Sequence, residues 1–195
     1  MQVLDTPLAG LKIIETPVFH DARGYFTETF RCGDYGRALG EDVRFVQDNR
    51  SVSHANVLRG MHFQRQQPQG KLVEVCAGRV FDVAVDLRRS SATFGRWHGL
   101  VLEAPGMPGS AGAASRRLWI PPGFAHGFYA LSDTAMVSYK CTAYFDPGSE
   151  ACLRWDDPEV GIEWPLAAAS EAPILSSKDS GGLPLQELKA REWLP

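Results

Sequence analysis

Residues 80–86 read Val-Phe-Asp-Val-Ala-Val-Asp, and this alternation is the clearest indication of the fold. Successive side chains of a β-strand point to opposite faces, so one face of this segment is apolar and the other carries Asp82 and Asp86. The segment therefore predicts a strand with one packed face and one partly polar face.

Similar short segments recur between residues 43 and 143. They are rich in Val, Leu, Phe, Tyr and Trp and are separated by glycine, whereas helical periodicity is scarce. This pattern is typical of an all-β sandwich or barrel, with Ala77-Gly78 supplying a tight turn. We predict strands at residues 57–63, 71–76, 79–86, 96–102, 117–120, 127–131 and 135–142.

Short helices are predicted at the periphery, at residues 32–39 before Gly40 and at residues 184–194. Residues 104–115 are rich in small residues, proline and glycine, and they predict a long flexible hairpin loop. Residues 47–51, Gln-Asp-Asn-Arg-Ser, suit recognition of a base or sugar, but a turn with side-chain capping is the simpler interpretation.

Composition predicts one globular domain spanning residues 1–195, with 44% hydrophobic and 22% charged residues. A formal net charge of −3 offers no basic field for a nucleic acid. Apolar runs fall short of the roughly 18 residues of a membrane span and the first residues do not resemble a signal peptide, so we expect a cytoplasmic protein without membrane contact. The cysteines at positions 32, 76, 141 and 152 form no C-x-x-C pair, and we expect small buried side chains rather than disulfides or a zinc site.

A guanidinium, an imidazole and an ammonium stand on neighbouring predicted strands, at Arg59, His62 and Lys71. Histidine exchanges protons near neutral pH, and a lysine can hold the negative charge that proton loss leaves on a substrate. The group therefore predicts a base and an electrophile in one site. The simpler alternative is an ordinary strand histidine flanked by solvated surface charges.

Other segments add further candidate residues, some of them with a simpler alternative. Arg23 and Glu28 can project from one face of an early strand, or can form an exposed cross-face ion pair. His126 stands between two aromatic residues, where a core histidine bonded to backbone is the alternative. Tyr139 lies on a predicted strand, and a partly buried phenol can donate a proton. Asp179 offers a carboxylate that can fix the tautomer of an imidazole.

Taken in order, these segments resemble the dTDP-4-dehydrorhamnose 3,5-epimerase family, cofactor-independent sugar-nucleotide epimerases of the cupin type. The resemblance extends from about Phe19 to Asp179. It rests on residues 21–24 (Asp-Ala-Arg-Gly), 45–49 (Phe-Val-Gln-Asp-Asn), 57–62 (Val-Leu-Arg-Gly-Met-His), 121–128 and 154–158 (Arg-Trp-Asp-Asp-Pro). It implies an all-β jelly-roll, cupin-like fold with short peripheral helices, in a homodimer.

The resemblance also implies a role for each matching residue. His62 is the general base and is paired with Asp179, Lys71 stabilises an enolate, and Tyr139 is the proton donor. The implied substrate contacts are Arg23, Glu28, Gln47, Asp48, Asn49, Arg59, His126, Glu150 and Lys178. Among them, Arg59 serves the diphosphate, which suits the bidentate geometry of a guanidinium.

The reaction so implied converts dTDP-4-keto-6-deoxyglucose into dTDP-4-keto-rhamnose. The protons at C3 and C5 both adjoin the C4 carbonyl, so removal of either gives an enolate. Return of a proton to the opposite face of the ring then inverts the centre. The implied chemistry needs no metal and no redox cofactor.

One departure from the family pattern bears on this reaction. Family members commonly carry two adjacent tyrosines where this chain has Tyr144-Phe145. A mono-epimerase that acts on C3 or C5 alone, in another deoxysugar pathway, is therefore an alternative function.

Two further alternatives come from other functional classes. A metal-dependent cupin enzyme is disfavoured because Gln64 stands where a second metal-binding histidine would be expected. A non-catalytic sugar-nucleotide-binding module is disfavoured because the four residues matching the catalytic set are all present.

Overall fold

The computed structural model describes residues 1–40, 43–106, 114–166 and 172–195. Its strands are β1 Gln2–Asp5, β2 Lys12–Asp21, β3 Gly24–Thr27, β4 Gln47–His54, β5 Leu58–Gln64, β6 Lys71–Ala77, β7 Arg79–Asp86, β8 Trp97–Glu103, β9 Ala114–Ile120, β10 Phe124–Ala130, β11 Thr134–Cys141 and β12 Glu150–Cys152. Three short helices accompany them in the described residues: α1 Cys32–Leu39, α2 Ser177–Ser180 and α3 Leu185–Ala190. Among these residues, no helix has the length and apolar character needed to cross a membrane.

The strands form two antiparallel sheets that pack face to face. A seven-stranded sheet has the order β1-β2-β9-β6-β11-β4, with β3 paired to β2, and a five-stranded sheet has the order β12-β5-β10-β7-β8. The core between them takes side chains from both sheets, including Val73 and Val137 from the larger and Val80 and Phe128 from the smaller. The predicted all-β sandwich is confirmed.

Strand β7 shows why a strand buried on both faces can still contain carboxylates. Val80 and Ala84 belong to the core between the sheets, whereas Val83 and Val85 pack into a second core beneath the C-terminal segment. The predicted partly polar face is confirmed, since it carries Asp82 and Asp86, and both carboxylates are fully buried. A buried carboxylate requires hydrogen-bond donors, and the structure supplies them in both cases.

The seven predicted strands are confirmed, with ends that shift by a few residues. Strands β1, β2 and β12 were not predicted from the sequence. In β2, Pro17 pairs with the end of β9, and the residues after it pair with β3 instead. A proline is tolerated at such a change of partner because a missing N–H breaks no continuous ladder.

The predicted turn at residues 47–51 is wrong, because these residues begin strand β4. Its residues pair with Thr134–Cys141 along their full length. A strand of polar residues gives no hydrophobic alternation from which to predict it. Here the inward-facing residues line a cavity rather than a packed core.

The peripheral predictions have mixed outcomes. Helix α1 has the predicted bounds and ends at Gly40, whose φ of 118° favours glycine. Helix α3 is shorter than predicted. The predicted hairpin at 104–115 is wrong, because the flanking strands β8 and β9 belong to different sheets, and residues 107–113 lie outside the described residues. Cys141 is buried as expected, but the prediction is wrong for Cys32, which is exposed.

Candidate active site

A cavity of about 330 Å³ opens between the two sheets. It is lined by side chains from both sheets and from the segments that follow them: Gln47, Asn49, Ser51, Arg59, His62, Gln69, Lys71, His126, Phe128, Tyr139, Phe145, Glu150 and Lys178. Nine of the residues predicted to act in the site are in this list. The sandwich thus brings together groups that are widely separated in the chain.

Strand alternation explains how the larger sheet contributes to the cavity. Gln47, Asn49 and Ser51 are alternate residues of β4 and therefore share one face. Tyr139 on β11 pairs directly with Asn49. Lys71 begins β6, whose alternate residues continue into the core between the sheets.

An irregularity in the pairing of β5 places two candidate residues of this strand, Arg59 and His62, on the same wall of the cavity. His62 pairs with His126 and Arg59 pairs with Phe128, so the register shifts between these pairs. Such a bulge lets Arg59 and His62 both face the cavity, although regular alternation would separate them. The strands also approach closely here, since a Cβ on Gly60 would lie 2.6 Å from the Cα of Gly127.

The imidazole of His62 is held by a buried carboxylate from the C-terminal segment. His62 Nε2 lies 2.5 Å from Asp179 Oδ1, and Ser176 Oγ donates to Asp179 Oδ2 at 2.6 Å. Burial alone would raise the pKa of Asp179, but the hydrogen bonds from His62 and Ser176 outweigh it and hold the pKa at about 2. Because the ionised carboxylate accepts from Nε2, Nδ1 is the ring nitrogen available to take a proton.

Lys71 is buried and Tyr139 is half-buried in the cavity wall. Lys71 is only 9% exposed, and burial lowers its pKa. Burial raises the pKa of the Tyr139 phenol, against the opposing effect of the Arg59 charge. Tyr139 therefore keeps its proton at neutral pH and can donate it.

His126 is also paired with a carboxylate, but this pair lies inside one sheet. Its Nε2 lies 3.0 Å from each carboxylate oxygen of Asp82, on the neighbouring strand β7. The alternative of a core histidine bonded to backbone is therefore wrong, because the partner is a side chain. Asp82 also lies near enough to Lys71 to favour its ammonium form.

Polar pairs complete the cavity mouth. Lys178 Nζ donates to Glu150 Oε1 at 2.9 Å. Gln47 donates to Asn49 Oδ1 at 2.9 Å and accepts from the backbone N–H of Phe145 at 2.8 Å. These contacts fix the positions of amide and charged groups at the cavity wall.

Three predicted substrate contacts lie outside this cavity. Arg23 pairs with Asp21, and Glu28 pairs with Arg31, so the alternative of an ion pair between Arg23 and Glu28 is wrong. Asp48 lies on the opposite face of β4 from Gln47 and Asn49. There its carboxylate accepts from Lys140 Nζ at 2.8 Å.

Some residues of the site were not identified as such from the sequence. Asp82 was visible in the alternating segment, but only as part of a polar face. Ser176 stands three residues before Asp179, the spacing of a helix cap, and that pattern could have identified it. Ser51 and Gln69 line the cavity without a distinctive sequence signal.

Comparisons with known proteins identify the family to which this chain is similar. Residues 5–187 match the family model described as dTDP-4-dehydrorhamnose 3,5-epimerase. The dTDP-4-dehydrorhamnose 3,5-epimerase of Methanothermobacter thermautotrophicus is 49% identical over 184 residues, which is 94% of each chain.

Solved structures extend the similarity to the whole fold. The dTDP-6-deoxy-D-glucose-3,5-epimerase of Legionella pneumophila, in complex with dTDP-4-keto-L-rhamnose, has 48% identity and a TM-score of 0.89, covering 100% of this chain and 97% of that chain. A 3'-monoepimerase from Streptomyces bikiniensis, in complex with dTDP-quinovose, has 31% identity and a TM-score of 0.86, covering 97% of this chain and 91% of that chain. The predicted cupin-like jelly roll is thereby confirmed.

Proposed function

The chain belongs to the dTDP-4-dehydrorhamnose 3,5-epimerase family, and we propose that it inverts C3 and C5 of dTDP-4-keto-6-deoxyglucose to give dTDP-4-keto-rhamnose. It is an isomerase that acts on a sugar nucleotide. One observation supports the mechanism above all others. A candidate base and a candidate acid, His62 and Tyr139, stand on opposite sheets and line one cavity with Lys71.

His62 is the base that removes a proton next to the C4 carbonyl. Asp179 accepts from its Nε2 and so keeps Nδ1 free to take the proton. As the proton arrives, the ring becomes an imidazolium, which the buried carboxylate stabilises. Ser176 and the backbone N–H of Gly60 hold that carboxylate in place.

Lys71 stabilises the charge that proton loss leaves on the C4 oxygen. An ammonium largely removed from water interacts more strongly with a developing oxyanion than a solvated one does. His126, fixed by Asp82, is the second group that can face this oxygen. The electrons return to the carbon when a proton is delivered, so no oxidant or reductant is needed.

Tyr139 delivers the new proton from the other face of the ring. Inversion requires removal and return on opposite faces, and His62 and Tyr139 belong to opposite sheets. The sugar ring then lies between the two sheets. The phenol is restored when the proton taken by His62 passes back through solvent.

The remaining cavity residues bind the nucleotide part of the substrate. Arg59 lies at the mouth, where Ser53 Oγ accepts from its Nε at 2.9 Å and its terminal nitrogens can meet a diphosphate. Lys178, Glu150, Gln47 and Asn49 supply further charges and amides.

Residues 1–195 act as a single domain in this proposal, and a cytoplasmic location stays a prediction.

A homodimer accounts for the predicted contacts that lie away from the cavity. Arg23 and Glu28 flank β3, whose hairpin with β2 exposes Phe19 and Phe26 at 62% and 67%. Exposed, stacked phenylalanines on a hairpin mark an interaction surface. We propose that this hairpin packs on a second copy and extends Arg23 and Glu28 toward the partner's cavity. The role of Asp48 stays a prediction.

Mixed dimers test this assignment. An Arg23→Ala chain and a His62→Ala chain are each inactive alone in our proposal. If Arg23 acts in the partner's site, their co-expression rebuilds one intact site per mixed dimer and restores measurable activity. If Arg23 acts within its own chain, no mixed dimer has an intact site and activity stays absent.

Deuterium exchange tests the reaction itself. Substrate converted in heavy water should gain deuterium at C3 and C5, measured by NMR and mass spectrometry. His62→Ala should abolish exchange, whereas His98→Ala, outside the cavity, should leave it unchanged. Product formed without deuterium by active enzyme contradicts the enolate mechanism.

The same experiment separates a mono-epimerase from a double epimerase. Phe145 lines the cavity in place of a tyrosine, and this is the observation that favours the second function. Deuterium at one centre alone, with one centre inverted, would establish it.

A further inference from the structure

Cys152 stands next to the proposed base, but the proposed mechanism does not use it. On β12 it pairs directly with His62 of β5, and alternate residues of β12 place it on the same side as Glu150. One donor atom each from His62, Cys152 and Asp179 lie within 4.8 Å of one another. A nitrogen, a sulfur and a carboxylate oxygen therefore converge beside the cavity.

We propose that His62, Cys152 and Asp179 form an inhibitory binding site for a thiophilic divalent cation such as zinc. The inference rests on the proposed function for its inhibitory consequence, but not for binding of the metal. Nothing in the epimerisation requires the cation. The sequence gives no motif that predicts this site, because its three residues are distant in the chain and form no C-x-x-C or H-x-H pattern.

The spacing of the donors is compatible with a tetrahedral site after a small adjustment. Ligands of zinc lie about 3.3–3.8 Å apart when the metal–ligand bonds are roughly 2.0–2.3 Å. The His62 to Asp179 contact of 2.5 Å must open, and the Cys152 sulfur must move inward. Rotation of the cysteine side chain supplies the second movement, since its present contacts are weak ones of 3.4 and 3.6 Å to backbone carbonyls. A solvent molecule from the cavity is the fourth ligand.

Charge and ligand type select the cation. A thiolate and a carboxylate neutralise a divalent ion, so the occupied site carries no net charge in its buried setting. To bind, the cation must displace the proton of the Cys152 thiol, which passes to solvent. Zinc, cadmium and cobalt form sulfur bonds strong enough to do so, whereas magnesium and calcium prefer oxygen ligands.

Occupation of the site removes the proposed base. The cation takes a nitrogen of His62 and an oxygen of Asp179, so the imidazole can neither accept a proton nor keep its hydrogen bond. Substrate turnover then stops although the cavity stays open.

Cobalt tests binding without reference to activity. Tag-free protein titrated with Co²⁺ should develop a sulfur-to-cobalt charge-transfer absorption that saturates at one ion per chain. Cys152→Ser and Cys152→Ala should abolish the band, and His62→Ala should weaken it. Cys32→Ser, which removes an exposed thiol on α1, should leave it intact. Absence of the band in the natural chain, or its persistence without Cys152, overturns the proposal.

Zinc inhibition tests the consequence. Zn²⁺ should inhibit the natural chain reversibly, a chelator should restore activity, and Mg²⁺ should have no effect. Cys152→Ser should keep the metal-free rate and need at least about tenfold more zinc for the same inhibition. Equal inhibition of the natural chain and Cys152→Ser overturns the inhibitory role. A cobalt band in a protein without epimerase activity would refute the proposed function alone, and activity without a band would refute the metal site alone.

Discussion

Two histidine–aspartate pairs flank the same cavity, and they are built differently. His62 and Asp179 connect β5 to the distant helix α2, and the His62 side chain is 23% exposed. His126 and Asp82 connect adjacent strands within one sheet, and the His126 side chain is 7% exposed. A histidine that exchanges protons with a substrate must be reached by it, whereas a buried one is suited to hold a fixed position. The comparison assigns proton transfer to the first pair and orientation to the second.

The largest effect is expected from Asp179→Asn. An asparagine amide can donate to the imidazole and hold the wrong tautomer, so the rate should fall about 10³–10⁴-fold. Steady-state turnover measures this loss, with Asp156→Asn as a control at an exposed carboxylate paired with Arg154. A loss of rate smaller than about tenfold would contradict the separate roles assigned to the His62–Asp179 and His126–Asp82 pairs.

Asp179 also links stability to pH. Its pKa is lowered from 3.8 to about 2 in the folded chain, so its stabilising effect is present above pH 3.8 and is lost as the pH falls through about 2. At neutral pH the contribution to the free energy of unfolding is about 2 kcal/mol. Urea unfolding of the natural chain and Asp179→Asn should therefore converge in strongly acidic solution.

A smaller effect is expected from Asp82→Asn. Loss of the group that orients His126 should lower kcat by about tenfold to a hundredfold with little change in KM. In a chain that already carries His126→Ala, Asp82→Asn should cause no further loss of kcat, because Asp82 then has no ring to orient. An undiminished loss in the double variant would show that Asp82 acts independently of His126, for example through Lys71.

The dependence of kcat on pH should reveal the ionisation of Lys71, which lies near Asp82 of the His126–Asp82 pair. Burial lowers its pKa below the usual 10.5, so the ammonium is lost, and kcat declines, earlier on the alkaline side than for a solvated lysine. Tyr139 cannot cause this early decline because its pKa is raised. Lys71→Arg keeps the charge and should move the decline to higher pH. An unmoved decline would exclude Lys71 as its source.

The smallest effect is expected from Phe145→Tyr. The substitution restores a hydroxyl at the cavity wall without touching either histidine–aspartate pair. The ratio of deuterium at C3 to deuterium at C5 should change, with overall turnover altered by less than about tenfold. An unchanged ratio would remove this position from the control of which centre reacts.

Strands with a regular alternation of apolar residues were the easiest elements to predict from the sequence. Strand β7 was predicted with its bounds, since apolar alternation is a local property. Strand β4 was not, because the interior face of a strand that lines a polar cavity contains polar residues. In β7 the alternation shows where Asp82 and Asp86 lie along the strand, but only the structure shows that both are buried beside hydrogen-bond partners.

The sequence by itself determined the sandwich class, the family, and the residue types able to remove, deliver and balance a proton. These follow from local alternation and from motifs that need no partner. Only the tertiary structure decided that Asp82 meets His126 and that Asp48 turns away from the cavity, and it alone gives the geometry of the His62–Asp179 pair that the resemblance implies. Such contacts join residues distant in the chain, and their geometry depends on strand register, a bulge and sheet packing, which no local pattern encodes.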